Sequence, residues 1–250
     1  GSAWVDLVTN KGMMKGTVDL GGGNDLYDGR TGTVIGSILG GDGDDRFVLG
    51  GAKETVDGGA GIDTLDFANW AYALVINLTT PTLNKGTGVT GDTYAGIESL
   101  IGGTRADKLS GDAGDNGLKG NAGNDTLWGG DGNDVLEGGN GTDRLTGGLG
   151  ADSFVFNAAS GMGDIVYDFA SGTDHIDVKA SAFGYGTTTG QLAAADFVVS
   201  TSNAARDATD HFIFRTTDAT LWFDADGTGS RAAVLVADLQ AGATLSAADI

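Results

Sequence analysis

Large apolar residues recur every nine positions along residues 102–155, and glycines and short polar residues fill the positions between them. The chain repeats the pattern G-G-x-G-x-D-x-U-x there, where U is a large apolar residue. The six copies read GGTRADKLS, GDAGDNGLK, GNAGNDTLW, GGDGNDVLE, GGNGTDRLT and GGLGADSFV. Further copies occupy 20–28, 40–48 and 58–66, and 49–57 keeps the frame although its glycines have decayed. A fixed short period of this kind indicates a solenoid.

Position eight of the repeat is apolar in every copy, which predicts the core. In a three-residue strand the central side chain faces one side and its neighbours face the other. Stacked copies then build a narrow core from one residue per strand. The residues expected to form it are Tyr27, Phe47, Val56, Leu65, Leu109, Leu118, Leu127, Leu136, Leu145 and Phe154.

Nine residues provide one turn and one short strand, so two copies complete a coil and the chain returns to the same side every eighteen residues. We therefore predict an all-β fold, a right-handed parallel β-roll. After Val155 the period is lost and short apolar runs alternate with turn clusters, so we expect an antiparallel β cap that closes the open strand edge.

Departures from the period divide the chain into four segments. Residues 3–66 form N-terminal coils, 67–101 an enlarged coil with a surface loop, 102–155 the regular roll, and 156–250 the C-terminal cap. The opening Gly1-Ser2 is typical of a cloning remnant, so we expect the chain to be a fragment of a larger protein.

The glycines and the position-six residues together predict a metal site. Glycine permits positive φ and close backbone approach, so six residues can form a tight turn whose carbonyl groups point inward. A short carboxylate at position six completes an oxygen shell for a hard cation such as Ca²⁺. The candidate side-chain ligands are Asp25, Asp45, Asp63, Asp107, Asn116, Asp125, Asp134, Asp143 and Asp152. The candidate turn glycines are Gly41, Gly43, Gly59, Gly61, Gly103, Gly114, Gly123, Gly130, Gly132, Gly139, Gly141, Gly148 and Gly150.

Position-six residues eighteen apart should meet across stacked coils. The pairs are Asp45/Asp63, Asp107/Asp125, Asn116/Asp134, Asp125/Asp143 and Asp134/Asp152. Each pair predicts one shared site of carboxylate and carbonyl oxygens, and we expect roughly five to eight Ca²⁺ ions in the whole chain.

Composition supports cations as the partner. The alternative, a solvated acidic surface, would use glutamate freely, whereas 31 of the 34 acidic residues are aspartate. A net charge of −20 argues against nucleic acid and anionic membranes, and without cations the repeats should remain unfolded.

The chain has no cysteine and no apolar run long enough to span a bilayer. It also lacks the zinc protease pattern H-E-x-x-H, so we expect no catalytic activity in this chain.

The repeats and the tail resemble the RTX, or haemolysin-type calcium-binding, proteins, and in particular the C-terminal region of serralysin-type secreted proteins. The resemblance extends over about 20–250 and includes GIDTLDF (61–67), GADSFVF (150–156) and DIVYDFASGTDHIDV (164–178). It implies folding on calcium outside the bacterial cell and type I secretion through an uncleaved C-terminal signal within or beside the region after 156. By the same resemblance, Asp164, Asp168 and Asp174 would ligate a terminal ion. Arg105 and Asn116 depart from the family pattern.

The resulting interpretation is a calcium-binding module of a larger secreted protein, which stabilises that protein and supports its export. Two alternatives remain open. One is a polysaccharide-binding accessory module of a secreted carbohydrate-active enzyme or protease, in which Trp70, Tyr72, Trp128 and Trp222 could stack on sugars. The other is part of an adhesin or surface-layer protein.

Overall fold

The structure is a computed structural model that describes residues 1, 3–157, 163–179 and 192–250. Within these ranges the chain forms short strands, joined by tight turns, together with 3-10 helices at Pro81–Leu83, Ala194–Asp196 and Ala247–Asp249. The strands are β1 (Leu7–Thr9), β2 (Met13–Lys15), β3 (Val18–Gly22), β4 (Leu26–Asp28), β5 (Thr33–Ile35), β6 (Ile38–Asp42), β7 (Arg46–Val48), β8 (Thr55–Ala60), β9 (Thr64–Asp66), β10 (Val75–Asn77), β11 (Thr93–Ala95), β12 (Ser99–Ile101), β13 (Lys108–Ser110), β14 (Gly117–Ala122), β15 (Thr126–Asp131), β16 (Val135–Asn140), β17 (Arg144–Leu149), β18 (Ser153–Phe156), β19 (Asp164–Val166), β20 (His175–Val178), β21 (Phe197–Ser200), β22 (Phe212–Arg215), β23 (Thr220–Phe223) and β24 (Val234–Leu239). In this described part of the chain, no helix is long and apolar enough to cross a membrane.

From β1 to β20, strands that follow one another along the chain lie in different sheets, as a roll requires. One sheet runs in the order β1-β4-β7-β9-β12-β14-β16-β18-β20 and is parallel throughout. The strands between them form two further parallel stacks, β3-β6-β8-β11 and β10-β13-β15-β17-β19, while β2 pairs with β5. In the regular run Leu118 lies beside Leu136 and Leu127 beside Leu145. The parallel β-roll and its eighteen-residue coil are therefore confirmed.

The core consists of the predicted position-eight residues and their neighbours. All ten are at most 1% exposed and belong to one continuous cluster. The strands β14 to β17 are six residues long, twice the predicted length, because each runs on into the glycines of the next copy. The glycine turns are thus part of the ladder.

Residues 67–98 add two strands to a single coil. β11 pairs with β8, whereas β10 pairs with β13, so the chain contributes strands to both of the neighbouring stacks before it returns to β12. Leu74, Ile76 and Leu78 of this excursion are buried and belong to the core cluster. The core therefore continues without a break through the interruption of the repeat.

The predicted antiparallel cap is present only in part. β18, β19 and β20 extend the parallel stacks beyond the last repeat, and β24 also pairs with β19 in parallel. Antiparallel pairing is confined, among the described strands, to β22–β23 and β23–β24. The coil continues because Val166 and Ile176 lie beside the core residues Leu145 and Phe154, although the glycines have gone.

Removal of a position-eight side chain should destabilise the roll strongly. Leu127→Ala, at a position that is 0% exposed, should lower the free energy of unfolding by about 3 kcal/mol, since a one-residue-wide core cannot collapse around the cavity. Val135→Ala, at a position that is 48% exposed, should cost less than about 0.5 kcal/mol. Denaturant titrations of both variants in saturating calcium check the difference, and equal losses would contradict the proposed core.

Candidate metal centre

Position-six carboxylates lie in columns that run from coil to coil. Each Oδ1 accepts a hydrogen bond from the backbone N–H of the position-six residue in the preceding coil. This bond measures 2.8 Å from Asp45 to Asp63, and 2.7 Å from Asp107 to Asp125 and from Asp125 to Asp143. The bonds from Asn116 to Asp134 and from Asp134 to Asp152 measure 2.7 and 2.9 Å. All five predicted pairs are therefore adjacent.

The second oxygen of most of these carboxylates has no protein partner. It is buried and lacks a hydrogen-bond donor in Asp25, Asp45, Asp63, Asp125, Asp134, Asp143 and Asp152. A buried anionic oxygen without a partner is strongly unfavourable, so each one requires a proton, a water molecule or a cation.

Glycine at position one provides the space beside this oxygen. A Cβ atom on Gly120 would collide with Asp125 Oδ2 and would lie 2.6 Å from the carbonyl oxygen of Gly138, in the next coil. Gly129 has the same relation to Asp134 and to the carbonyl of Gly147. Carboxylate and carbonyl oxygens thus converge at the first glycine of the repeat.

Positions two and four are glycine for a different reason. Gly130, Gly132, Gly139 and Gly141 have φ between 104° and 140°, which other residues rarely adopt. Each also lies against a backbone carbonyl of the preceding coil. A side chain at any of these four glycines would therefore collide with the preceding coil, although Asn121 holds position two in another copy with a φ of 73°.

In the first two copies of the regular run, a backbone amide of the same copy donates a hydrogen bond to the position-six side chain. Gly103 N–H donates to Asp107 Oδ2 at 2.6 Å, and Asp112 N–H donates to Asn116 Oδ1 at 2.7 Å. These are the copies that depart from the family pattern at Arg105 and Asn116. They lack the unpartnered oxygen that the later copies have.

Residues of the tail continue the columns at their C-terminal end. Asp143 N–H donates to Asp164 at 2.8 Å, and Asp152 N–H donates to Asp174 at 3.1 Å. Asp168 accepts from the amides of Gly147 and Gly148, in the turn of the last repeat. These three aspartates therefore adjoin the columns.

Two sets of residues escaped the sequence prediction. Glu98 and Asp92 occupy column positions in the irregular coil, since they accept the N–H groups of Asp63 and Glu54 at 2.9 and 3.0 Å. Side chains at position five form a second, exposed ladder, in which their Oδ1 atoms accept hydrogen bonds from backbone N–H groups of a stacked coil. The accepting residues are Asn24, Asp44, Asp115, Asn124 and Asn133. The frequency of Asn and Asp at position five was the signal for that ladder.

Burial raises the pKa of the column carboxyl groups. Desolvation is the main cause, and neighbouring carboxylates add to it. The pKa rises to about 6 for Asp63 and Asp134 and to about 7 for Asp125 and Asp164. The columns therefore disfavour negative charge unless a cation compensates it.

The donor set fits a hard cation that takes oxygen ligands. Among the described residues, no three acidic, histidine or cysteine side chains form a group that could hold a metal ion by themselves. An ion between two coils would thus rely on one or two carboxylates and on backbone carbonyl groups, which is a mixture that Ca²⁺ accepts. His175 begins β20 and His211 precedes β22, on different sheets.

Comparison with known proteins identifies the repeat. The family of the RTX calcium-binding nonapeptide repeat (4 copies) matches residues 37–65, 92–127 and 119–154. The chain therefore belongs to the family of RTX calcium-binding repeat proteins. No curated protein sequence matches the chain.

Solved structures that are similar to the chain include two bacterial proteins. The AlgE6R3 subunit of the Azotobacter vinelandii mannuronan C5-epimerase is 30% identical, with 60% of this chain and 79% of that one covered and a TM-score of 0.40. The extracellular lipase LipA from Serratia marcescens is 19% identical, with a TM-score of 0.36, and all of this chain is covered. The chain spans 38% of the length of that lipase.

A methyl group at position one should damage the site. Gly120→Ala places its Cβ against Asp125 Oδ2, so the calcium concentration at half-saturation should rise about tenfold or more. Gly117→Ala is the matched control, because its nearest neighbour would be Ser99 Oγ at 3.4 Å. Calorimetric calcium titrations check this, and equal affinities in the two variants would exclude position one from the site.

Acid should stabilise the chain in the absence of calcium. Because the column carboxyl groups have raised pKa values when folded, the folded chain binds more protons than the unfolded chain. The stabilisation should be complete below the ordinary aspartate pKa of 3.8 and should be lost as the pH rises through about 6 to 7. Circular dichroism in a chelator from pH 7 to pH 4 checks this, and a loss of β-structure on acidification would contradict it.

Proposed function

We propose that the chain is a calcium-stapled folding module of a larger secreted protein. The single observation that carries the proposal is the column of buried carboxylate oxygens that have no partner, which in Asp45, Asp63, Asp125 and Asp134 lie beside both a glycine and a backbone carbonyl. Calcium would supply the positive charge there and would join each coil to the next. Binding and folding would then be one event, since the site exists only when two coils are stacked.

The proposed side-chain ligands are those with an unpartnered oxygen: Asp25, Asp45, Asp63, Asp125, Asp134, Asp143 and Asp152. The turn glycines named above would contribute their carbonyl groups. Asp107 and Asn116 are weaker candidates, because backbone amides already occupy their second oxygen and amide oxygen. Asp164 would close one column at its C-terminal end, with Asp168 beside the last turn.

Coupling of calcium binding to folding would suit a secreted protein. Free calcium is scarce in the bacterial cytoplasm and abundant outside, so a chain that needs calcium would remain unfolded during export and fold afterwards. This agrees with type I secretion directed by the C-terminal region after 156, as the family resemblance implies. The net charge of −20 supports the unfolded calcium-free state through self-repulsion.

The polysaccharide-binding alternative has less support. Trp70 and Tyr72 line a cleft of about 270 Å³, but their rings meet edge to face and Trp70 also packs against Phe67. Trp128 lies on β15, and Trp222 packs beneath Arg215. The aromatic residues therefore form no shared platform, and both this alternative and the adhesin alternative stay predictions.

Calcium should convert the chain from disordered to β-structured in one cooperative step, at millimolar concentration as for other extracellular modules. Asp125→Asn combined with Asp134→Asn should raise the midpoint about tenfold or more, because each residue belongs to two pairs. Asp131→Asn with Asp177→Asn removes equal charge from exposed positions and is the control. Circular dichroism during calcium titration measures the midpoints.

Two results would refute the proposal. One is a calcium-free spectrum that is already fully β and does not respond to calcium at neutral pH. The other is an unchanged midpoint in the Asp125/Asp134 variant, which would exclude these side chains as ligands.

A further inference from the structure

A second kind of carboxylate pair lies outside the consensus repeats. Glu54 holds position six of the decayed copy 49–57, and Asp92 begins the return of the excursion to β11. Glu54 is 1% exposed and Asp92 is 0% exposed. Glu54 N–H donates to Asp92 Oδ1 at 3.0 Å, so the two residues are stacked as the regular pairs are, although 38 residues separate them.

Asp92 is well provided with partners, whereas Glu54 is not. Tyr94 O–H donates to Asp92 Oδ2 at 2.8 Å. Both carboxylate oxygens of Glu54 are buried and have no donor in hydrogen-bonding geometry. The nearby amide of Gly50 lowers the pKa of Glu54 somewhat, but desolvation and the charge of Asp92 raise it to about 8. This is the only described side chain with two unpartnered buried carboxylate oxygens.

The surroundings supply little positive charge. Lys53 is exposed and acts on Asp92 electrostatically without forming an ion pair of 4 Å or less. Tyr27 and Tyr94 are the other titratable groups that interact with Glu54, and both are neutral when protonated. Two acidic side chains thus share a buried site, and no basic side chain of the described residues forms an ion pair with either of them.

We infer that Glu54 and Asp92 form a further divalent-cation site, built without the glycine consensus, at the coil where the excursion enters and leaves the roll. Glutamate at position six has one more methylene group than aspartate, so it can reach an ion although the position-one residue is Leu49 and not glycine. A cation there would join β8 to β11 and fix the excursion to the preceding coil. The inference rests on the proposed function for the identity of the ion, calcium.

The test counts ions in the full chain. Glu54→Gln should bind one calcium ion fewer than the wild type in equilibrium dialysis, and Asp92→Asn should do the same. Asp57→Asn, which removes an exposed charge from β8 three residues after Glu54, is the control and should keep the full number. If the wild type binds no calcium, the proposed function fails. If it binds calcium and both variants retain every ion, the inference alone fails.

Terbium provides a second readout that does not require the removal of either proposed ligand. Tyr94 donates its hydroxyl hydrogen to Asp92, so Tb³⁺ bound there should accept excitation energy from that ring. Tyr94→Phe retains both carboxylates and should lose part of the tyrosine-sensitised emission of the wild type. Unchanged emission would place the bound Tb³⁺ away from Tyr94 and overturn the site. A Glu54→Gln variant that is more stable without calcium and binds the same number of ions would also overturn it, because the pair would then hold a shared proton.

Discussion

The structure depends on the fact that a carboxylate has two oxygens and that coil stacking satisfies one of them. Oδ1 of each column aspartate takes the amide of the coil before it, and this bond sets the register. Oδ2 of most of them is buried against a glycine without a hydrogen-bond donor. Burial of such an oxygen as an anion costs several kcal/mol unless it is paired. A core of one apolar residue per strand cannot offset this cost in every coil. The stability of the roll therefore depends on the proton, water molecule or cation that lies beside each Oδ2.

Much of this could be predicted from the sequence because the regular run keeps its period without insertion. The nine-residue frame identified Leu118, Leu127 and Leu136 as core, and the eighteen-residue spacing identified Asp125/Asp143 and its neighbours as pairs. The sequence could not predict that one carboxylate oxygen accepts an amide of the neighbouring coil while the other has no partner, since this depends on the rotation of each side chain against the next coil. The six-residue strands were missed for a similar reason, because glycine is usually a poor strand former.

Where the coil length varies, the eighteen-residue spacing no longer identifies which residues are neighbours in a column. The register of the stacked strands determines the neighbours there. Asp63 is followed in its column by Glu98, and Asp143 by Asp164, at separations of 35 and 21 residues. The longer connections leave the strand ladder intact, because a longer surface loop adds little closure entropy. This also explains why the tail continues the parallel stacks through β19 and β20 before β22, β23 and β24 turn antiparallel and reduce the exposed edge.

The register bond and the unpartnered oxygen are separable, and the first copies of the regular run show how. Asp107 and Asn116 take part in the columns, yet amides of their own turns occupy the oxygen that would otherwise face a cation. Stacking in these coils therefore needs no ion. They directly follow the excursion, where Leu74 provides an amide to Asp107 but no carboxylate. The coils that follow the excursion can thus stack on the regular run without a ligand from the excursion, because amides of their own turns satisfy Asp107 and Asn116.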